Sequence, residues 1–160
     1  MKNNKSFTLI EILVVIAILA GFMALLVPNF MEVRVKSRDV RRKSDLKTIQ
    51  KALELYSLNQ NPQTYPTTIP SPCTAFTDSV LANVTYLQKV PQDPLTQCNT
   101  ASTANYYYVQ SDSSTYSLYA CAENKYDPEA VSVEASVYSS WLTNTKSNCV
   151  SAKFYKLTQP

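Results

Sequence analysis

The chain has 160 residues, with 15 Lys+Arg, 12 Asp+Glu, four Cys, one Gly and no His. That length suits one modest domain plus one extra element, and a hydrophobic content of 45% sets it apart from disordered polar chains. Without His, Ser-His-Asp and Cys-His centres are excluded, and the commonest zinc ligand is missing; a single Gly excludes the glycine-rich phosphate loops.

The net charge of +3 hides a strong segregation into four parts. Residues 1–6, MKNNKS, form a short basic leader. Residues 7–30 are almost wholly apolar: Glu11 is their only charge, and residues 12–30 make an uncharged run of 19. At about 1.5 Å per residue this run gives roughly 28 Å of helix, close to the hydrocarbon thickness of a bilayer. The apolar core of an ordinary secretory signal is shorter, about 7–15 residues, and ends at a cleavage site. Here the run flows without a loop into residues 31–58, which are dense in charge.

Residues 31–58 read as an amphipathic continuation of the same helix. Val33, Val40, Leu46, Ile49, Leu53 and Tyr56 are its apolar positions, and the last four follow a 3, 4, 3 spacing. Eight bases lie between Arg34 and Lys51, opposed there by Asp39 and Asp45, and read as a solvated face beside anionic head groups or acidic neighbours. Asn59, Asn61 and Pro62 supply a stop. One helix over 7–58 is about 78 Å long. Pro28 lies inside it and has two readings: a kink or local melting, or a marker of the membrane exit.

Glu11 also has two readings. Thr8-Leu9-Ile10-Glu11 fits a capping box at a helix start. Alternatively, an acid near the end of a membrane span awaits a cation. Were the chain cut before Phe7, a free amine would lie four residues from Glu11. A neighbour shifted along the helix axis would present that amine to Glu11 more readily than the chain itself.

Residues 59–160 are rich in Ser, Thr, Asn, Gln, Tyr and Pro, with five Lys and seven acids, a net −2. Residues 105–110 and 115–120 read as strands joined by a turn at 111–114, with Tyr116, Leu118 and Ala120 on one face. Residues 150–157 read as a third strand, and 76–87 and 130–142 as short helices. The expected class is α+β: one long N-terminal helix on a small antiparallel sheet. Cys73, Cys98, Cys121 and Cys149 all lie in this part. They suggest two disulfides in an exported domain, with a Cys₄ zinc site as the lesser reading because no CxxC pair occurs. Three pairings exist; Cys73–Cys98 with Cys121–Cys149 is favoured because each closes one loop. Most of the eleven tyrosines are assigned to strand packing.

Lys5-Ser6-Phe7-Thr8-Leu9-Ile10-Glu11 and the apolar run that follows resemble the class III signal of type IV pilins and type II secretion pseudopilins. Residues 43–56 resemble the second helical half of that family. Residues 86–94, YLQKVPQDP, resemble the loop entering its sheet. The resemblance implies cleavage between Ser6 and Phe7, N-methylation of Phe7, and assembly through Phe7 and Glu11. It implies a membrane helix with Pro28 at the family's spacing and an exported domain at residues 59–160. The family places Gly before the cut, where this chain has Ser6. Positive-inside counting favours a cytoplasmic C-terminal side, whereas the resemblance and the cysteines place the leader in the cytoplasm; the second orientation is adopted.

The implied function is a structural subunit of a type IV pilus-like or type II secretion pseudopilus filament, stored in the inner membrane and then stacked. Its implied partners are further copies, a prepilin peptidase, an assembly ATPase with its inner-membrane platform, and membrane lipid. Nucleic acid enters only if the filament serves DNA uptake. The rival reading is a singly anchored exported binding domain without filaments. No nucleophile–base set supports an enzyme, and no cofactor is expected. Asp93, Asp112 and Asp127 are acids that calcium could touch, since some pseudopilins bind it, but they form no EF-hand pattern and no site is assigned.

Overall fold

The computed structural model describes residues 7–78, 84–96, 98, 106–145, 149 and 151–159, with the backbone alone given for 25–29 and 141–145. The leader, Ser6 included, lies outside the described residues. The chain divides into two compact units, one ending at Lys36 and the other beginning at Ser37.

Helix α1 spans Leu9–Leu58 and belongs to both units. Thr8 caps its start: Oγ1 accepts the N–H of Glu11 at 3.3 Å, satisfying one of the orphan donors of the first turn. The helix runs unbroken through Pro28, so the local melting anticipated there does not occur. Proline removes one backbone donor, and one lost bond need not open a helix whose flanking turns stay intact.

In the second unit, α1 packs on a sheet. Strands β1 (Phe76–Thr77) and β2 (Thr85–Leu87) form an antiparallel pair, and β3 (Tyr106–Asp112), β4 (Thr115–Cys121) and β5 (Phe154–Thr158) form an antiparallel sheet of order β3-β4-β5. Tyr106 pairs with Ala120 and Tyr108 with Leu118 across the hairpin, while Leu118 and Ala120 meet Leu157 and Tyr155 on the other side. The helix read over 76–87 is therefore replaced, in its described part, by the β1–β2 pair. Phe76, Thr85 and Tyr86 are β-branched or aromatic, and strand pairing suits such residues better than helix. Helix α2 covers Ala135–Thr145, five residues later at its start than the sequence suggested. The shift arises because Val131 is held in a bridge to Phe154.

Strand alternation builds two cores. Toward α1, Tyr116, Leu118, Ala120, Tyr106 and Tyr155 bury against Leu46, Ile49, Ala52 and Leu53, joined by Phe76 and Val90. On the opposite face, Tyr119, Phe154 and Cys149 bury with Val137 and Tyr138 of α2 packed against them. Disulfides join Cys73 to Cys98 and Cys121 to Cys149. The three-stranded sheet therefore lies between α1 and α2, and the class is α+β.

Candidate functional site

The first unit offers an unusual surface. From Phe7 to Ala24 every residue is exposed, including Leu9 at 82%, Ile16 at 58% and Phe22 at 62%. Successive helical residues step by about 100°, so the run Ile12 to Ile16 alone already circles the axis. A helix apolar on all sides belongs inside something. Burying its Ile, Leu, Val, Phe and Met side chains is worth on the order of 10 kcal/mol or more. Among the described residues no helix is long and apolar enough to cross a membrane; the side chains of 25–29, part of the apolar run read from sequence, lie outside that set. Glu11 is exposed in this surface, and among the described residues no cation lies within ion-pair distance of it. Further along, Glu32 and Lys36 pair at 2.7 Å with an i,i+4 spacing.

In the second unit, the buried stripe of α1 runs 39, 42, 46, 49, 53, and its first two members are Asp39 and Arg42. Val40, expected in the apolar stripe, is 64% exposed, and Val33 in the first unit is exposed as well. The charged pair takes the inward places because two loops bring acids and N–H groups to meet it. The Arg42 guanidinium reaches Asp93 (2.5 and 3.0 Å), Asp39 (2.8 Å) and Glu123 (2.5 Å). Asp39 accepts the N–H groups of Glu123 and Asn124 at 3.0 and 2.8 Å. Arg38 grips Glu123 from its other side with two bonds, 2.8 and 2.5 Å. Burial works against the charged forms, yet the pairing outweighs it: Arg42 is raised, and Glu123 is held below the usual carboxylate range.

Neighbouring contacts repeat the pattern. Lys43 bonds Asp127 (2.9 Å) and Glu129 (3.0 Å) and lies over the Tyr155 ring. Tyr65 and Tyr116 donate to Glu54 at 2.8 and 2.7 Å, and Tyr106 donates to Asp45 at 2.7 Å. So part of the basic segment read as a solvated face instead clamps the loops 91–96 and 121–129 onto the helix. Arg41, Lys47 and Lys51 do remain exposed.

The three acids weighed for calcium are separated by this arrangement. Asp93 belongs to Arg42, Asp127 to Lys43, and Asp112 caps the β3–β4 turn through Ser114. Among the described residues no group of three or more His, Cys, Asp or Glu is placed to hold a metal ion.

Residues 1–27 match the family described as the prokaryotic N-terminal methylation motif. The chain is 33% identical over 100 residues to the type II secretion system core protein G of Aeromonas hydrophila, spanning 58% of this chain and 68% of the relative. With the protein of that name from Klebsiella pneumoniae the identity is 34% over 101 residues, covering 59% and 71%. The chain belongs to the type IV pilin and type II secretion pseudopilin family. A further relative is the type IV wide pilus major component PilA4 of Thermus thermophilus, 41% identical over 64 residues, 40% of this chain and 49% of the relative. No solved structure matches significantly. Such pilins and pseudopilins are structural filament subunits.

Proposed function

We infer that the chain is a structural subunit of a type IV pilus-like or type II secretion pseudopilus filament. The observation that supports this most strongly is the α1 segment 7–24, apolar on every side and exposed among the described residues. Two environments suit such a helix, lipid and a bundle of its own kind, and we assign both in succession. Before assembly, residues 7–30 hold the subunit in the inner membrane with residues 59–160 exported. After extraction, the same residues stack with their copies to form the filament core.

Cleavage between Ser6 and Phe7 by a prepilin peptidase, followed by N-methylation of Phe7, is part of this reading. The free amine of one copy pairs with Glu11 of another, neutralising an acid that is costly in an apolar bundle. Such a heterologous contact does not close, so it propagates a fibre instead of a ring. Removing an apolar helix from lipid requires work, which we assign to an assembly ATPase acting through an inner-membrane platform. The chain's own chemistry is that of assembly, not catalysis.

Intact-mass analysis of membrane-extracted protein tests the processing step. A species beginning at methylated Phe7 is expected, and one beginning only at Met1 rejects it. Ser6, standing where the family has Gly, favours the rival reading of a singly anchored binding domain. Electron microscopy after expression with assembly machinery separates the two: fibres support the filament, and their absence supports the rival.

A further inference from the structure

Loop 88–96, which follows β2, is fixed at two points, and Cys98 just beyond it is fixed as well. Val90 exchanges backbone bonds with the chain at Cys73 and Thr74, each 2.8 Å. Asp93 is held by Arg42, and Cys98 by its disulfide to Cys73. Between this loop and α1 lies an open cavity of about 280 Å³, with Arg41 and Lys89 among its lining residues. Both are exposed, and among the described residues neither has a carboxylate within ion-pair distance. Asp93 is the acid in the wall, and its oxygens already accept from Arg42 and from the N–H of Leu95 at 2.9 Å. The cavity therefore presents two exposed positive charges without an ion-pair contact, although Arg41 also acts through space on the Asp45 carboxylate one helical turn away.

The second unit has two exposed acids without a cation among the described residues, Asp112 and Glu134. Asp112 stands at the narrow β3–β4 turn, where Ser114 donates to its Oδ1 from both N and Oγ at 2.8 Å. Those bonds fix the carboxylate's direction, and bonds from Thr115 and Ser114 keep its pKa below the ordinary value. The turn lies toward the C-terminal end of α1: Ser113 O accepts the Tyr65 N–H, and Tyr65 donates to Glu54. Arg41 is thirteen residues earlier in the helix than Glu54, about 20 Å along the axis. The basic cavity and the acidic turn thus lie toward opposite ends of the part of α1 that belongs to the second unit.

We propose that the Arg41–Lys89 cavity receives the Asp112 carboxylate of a second copy of this chain. A contact between opposite ends is heterologous, and each copy that joins leaves one cavity and one turn unused for the next. The charge complementarity fixes register more than it adds affinity. This contact rests on the filament reading and adds a lateral specificity to it, carried by the folded unit instead of the apolar helix. Glu134 is the less suitable donor because it precedes α2 and does not project from a turn.

The test uses the full chain expressed with assembly machinery. Arg41→Glu with Lys89→Glu, or Asp112→Lys alone, should lower filament yield at least about tenfold while the membrane pool of subunit stays unchanged. Combining all three should restore assembly. In wild-type filaments, zero-length carbodiimide cross-linking should join Lys89 of one copy to Asp112 of another, and should not do so in the unassembled subunit. Unaltered yields, rescue by Glu134→Lys in place of Asp112→Lys, or Lys89 linked to other acids instead would overturn the proposal while leaving the filament reading standing. A wild-type chain that forms no filament at all would overturn both.

Discussion

Arg42 and Asp93 stand 51 residues apart in sequence, and the guanidinium holds both oxygens of the carboxylate, Nε to Oδ2 at 2.5 Å and Nη2 to Oδ1 at 3.0 Å. The same Arg42, 3% exposed in its side chain, also carries Asp39 and Glu123. One residue of the helix therefore sets the position of two loops. Arg42→Ala would leave Asp39 and Asp93 without their cation in a largely buried space, with Glu123 keeping Arg38, at a cost of about 3–5 kcal/mol. Arg42→Lys should recover only part of this, because a single ammonium cannot make the two-pronged bond to Asp93. Denaturant unfolding of the detergent-solubilised chain checks both values.

The pH dependence of stability follows from groups on both sides of neutrality. Although burial opposes it, Arg38 and Arg42 depress Glu123, and Lys43 depresses Asp127. An acid lowered in the folded state stabilises above its unfolded pKa, and that contribution disappears as pH falls through the folded value. Stability should therefore decline from about pH 4.5 downward. Asp45 is raised by burial and acts in the opposite sense, softening the loss. At the alkaline end, burial and the Glu54 contact push Tyr65 up to about 12, and Tyr106, Tyr108, Tyr116 and Tyr155 are raised as well. Above pH 10 the unfolded chain loses phenolic protons that the folded chain retains, so stability falls again. A denaturation midpoint flat between pH 6 and 9 and lower at both ends is expected.

The apolar half of the helix stripe was legible in the sequence because Leu46, Ile49 and Leu53 follow helical spacing and have no polar alternative. Strands β3 and β4 were legible from tyrosine-rich runs that suit a pleated surface; the third strand read over 150–157 is β5, which begins only at Phe154. Asp39 and Arg42 were hidden by their charge, since charged side chains ordinarily face water. The available signal was position: 39 and 42 extend the 46, 49, 53 stripe with the same 3- and 4-residue steps. The partners that permit burial, Asp93 and Glu123, arrive from distant loops, and no local pattern announces them. The β1–β2 pair was missed for a related reason: two strands of two and three residues carry too short a pattern to outweigh a helical reading.

The disulfide Cys121–Cys149 ties the end of β4 to the segment before β5, beside the fully buried Phe154. Replacing both cysteines by Ser should cost about 2–4 kcal/mol, mainly by freeing the unfolded chain. The core around Tyr119 and Phe154 should loosen first, leaving the α1-facing core more protected. Hydrogen exchange at residues 154–158 compared with 46–53 reads this difference.

Glu11→Ala or Glu11→Val should yield a subunit that accumulates in the membrane at normal levels and assembles poorly, because the substitution removes the acid proposed to receive a neighbour's amine. Thr8→Ala removes only the helix cap, at about 1 kcal/mol, and should assemble nearly as well as the wild type. Comparing the two in sheared-filament yield separates the pairing role of Glu11 from its position in a capped first turn.

In the proposed function, residues 7–30 serve first as an anchor in lipid and then as the core of a fibre. Cryo-electron microscopy of fibres sheared from cells that express the chain with its assembly machinery tests this most directly. The expected result is a helical array whose centre is a bundle of α1 helices, each beginning at Phe7, with Glu11 of one copy beside the amino terminus of another. A chain recovered only as a monodisperse water-soluble protein, with its first thirty residues intact and solvated, would contradict it.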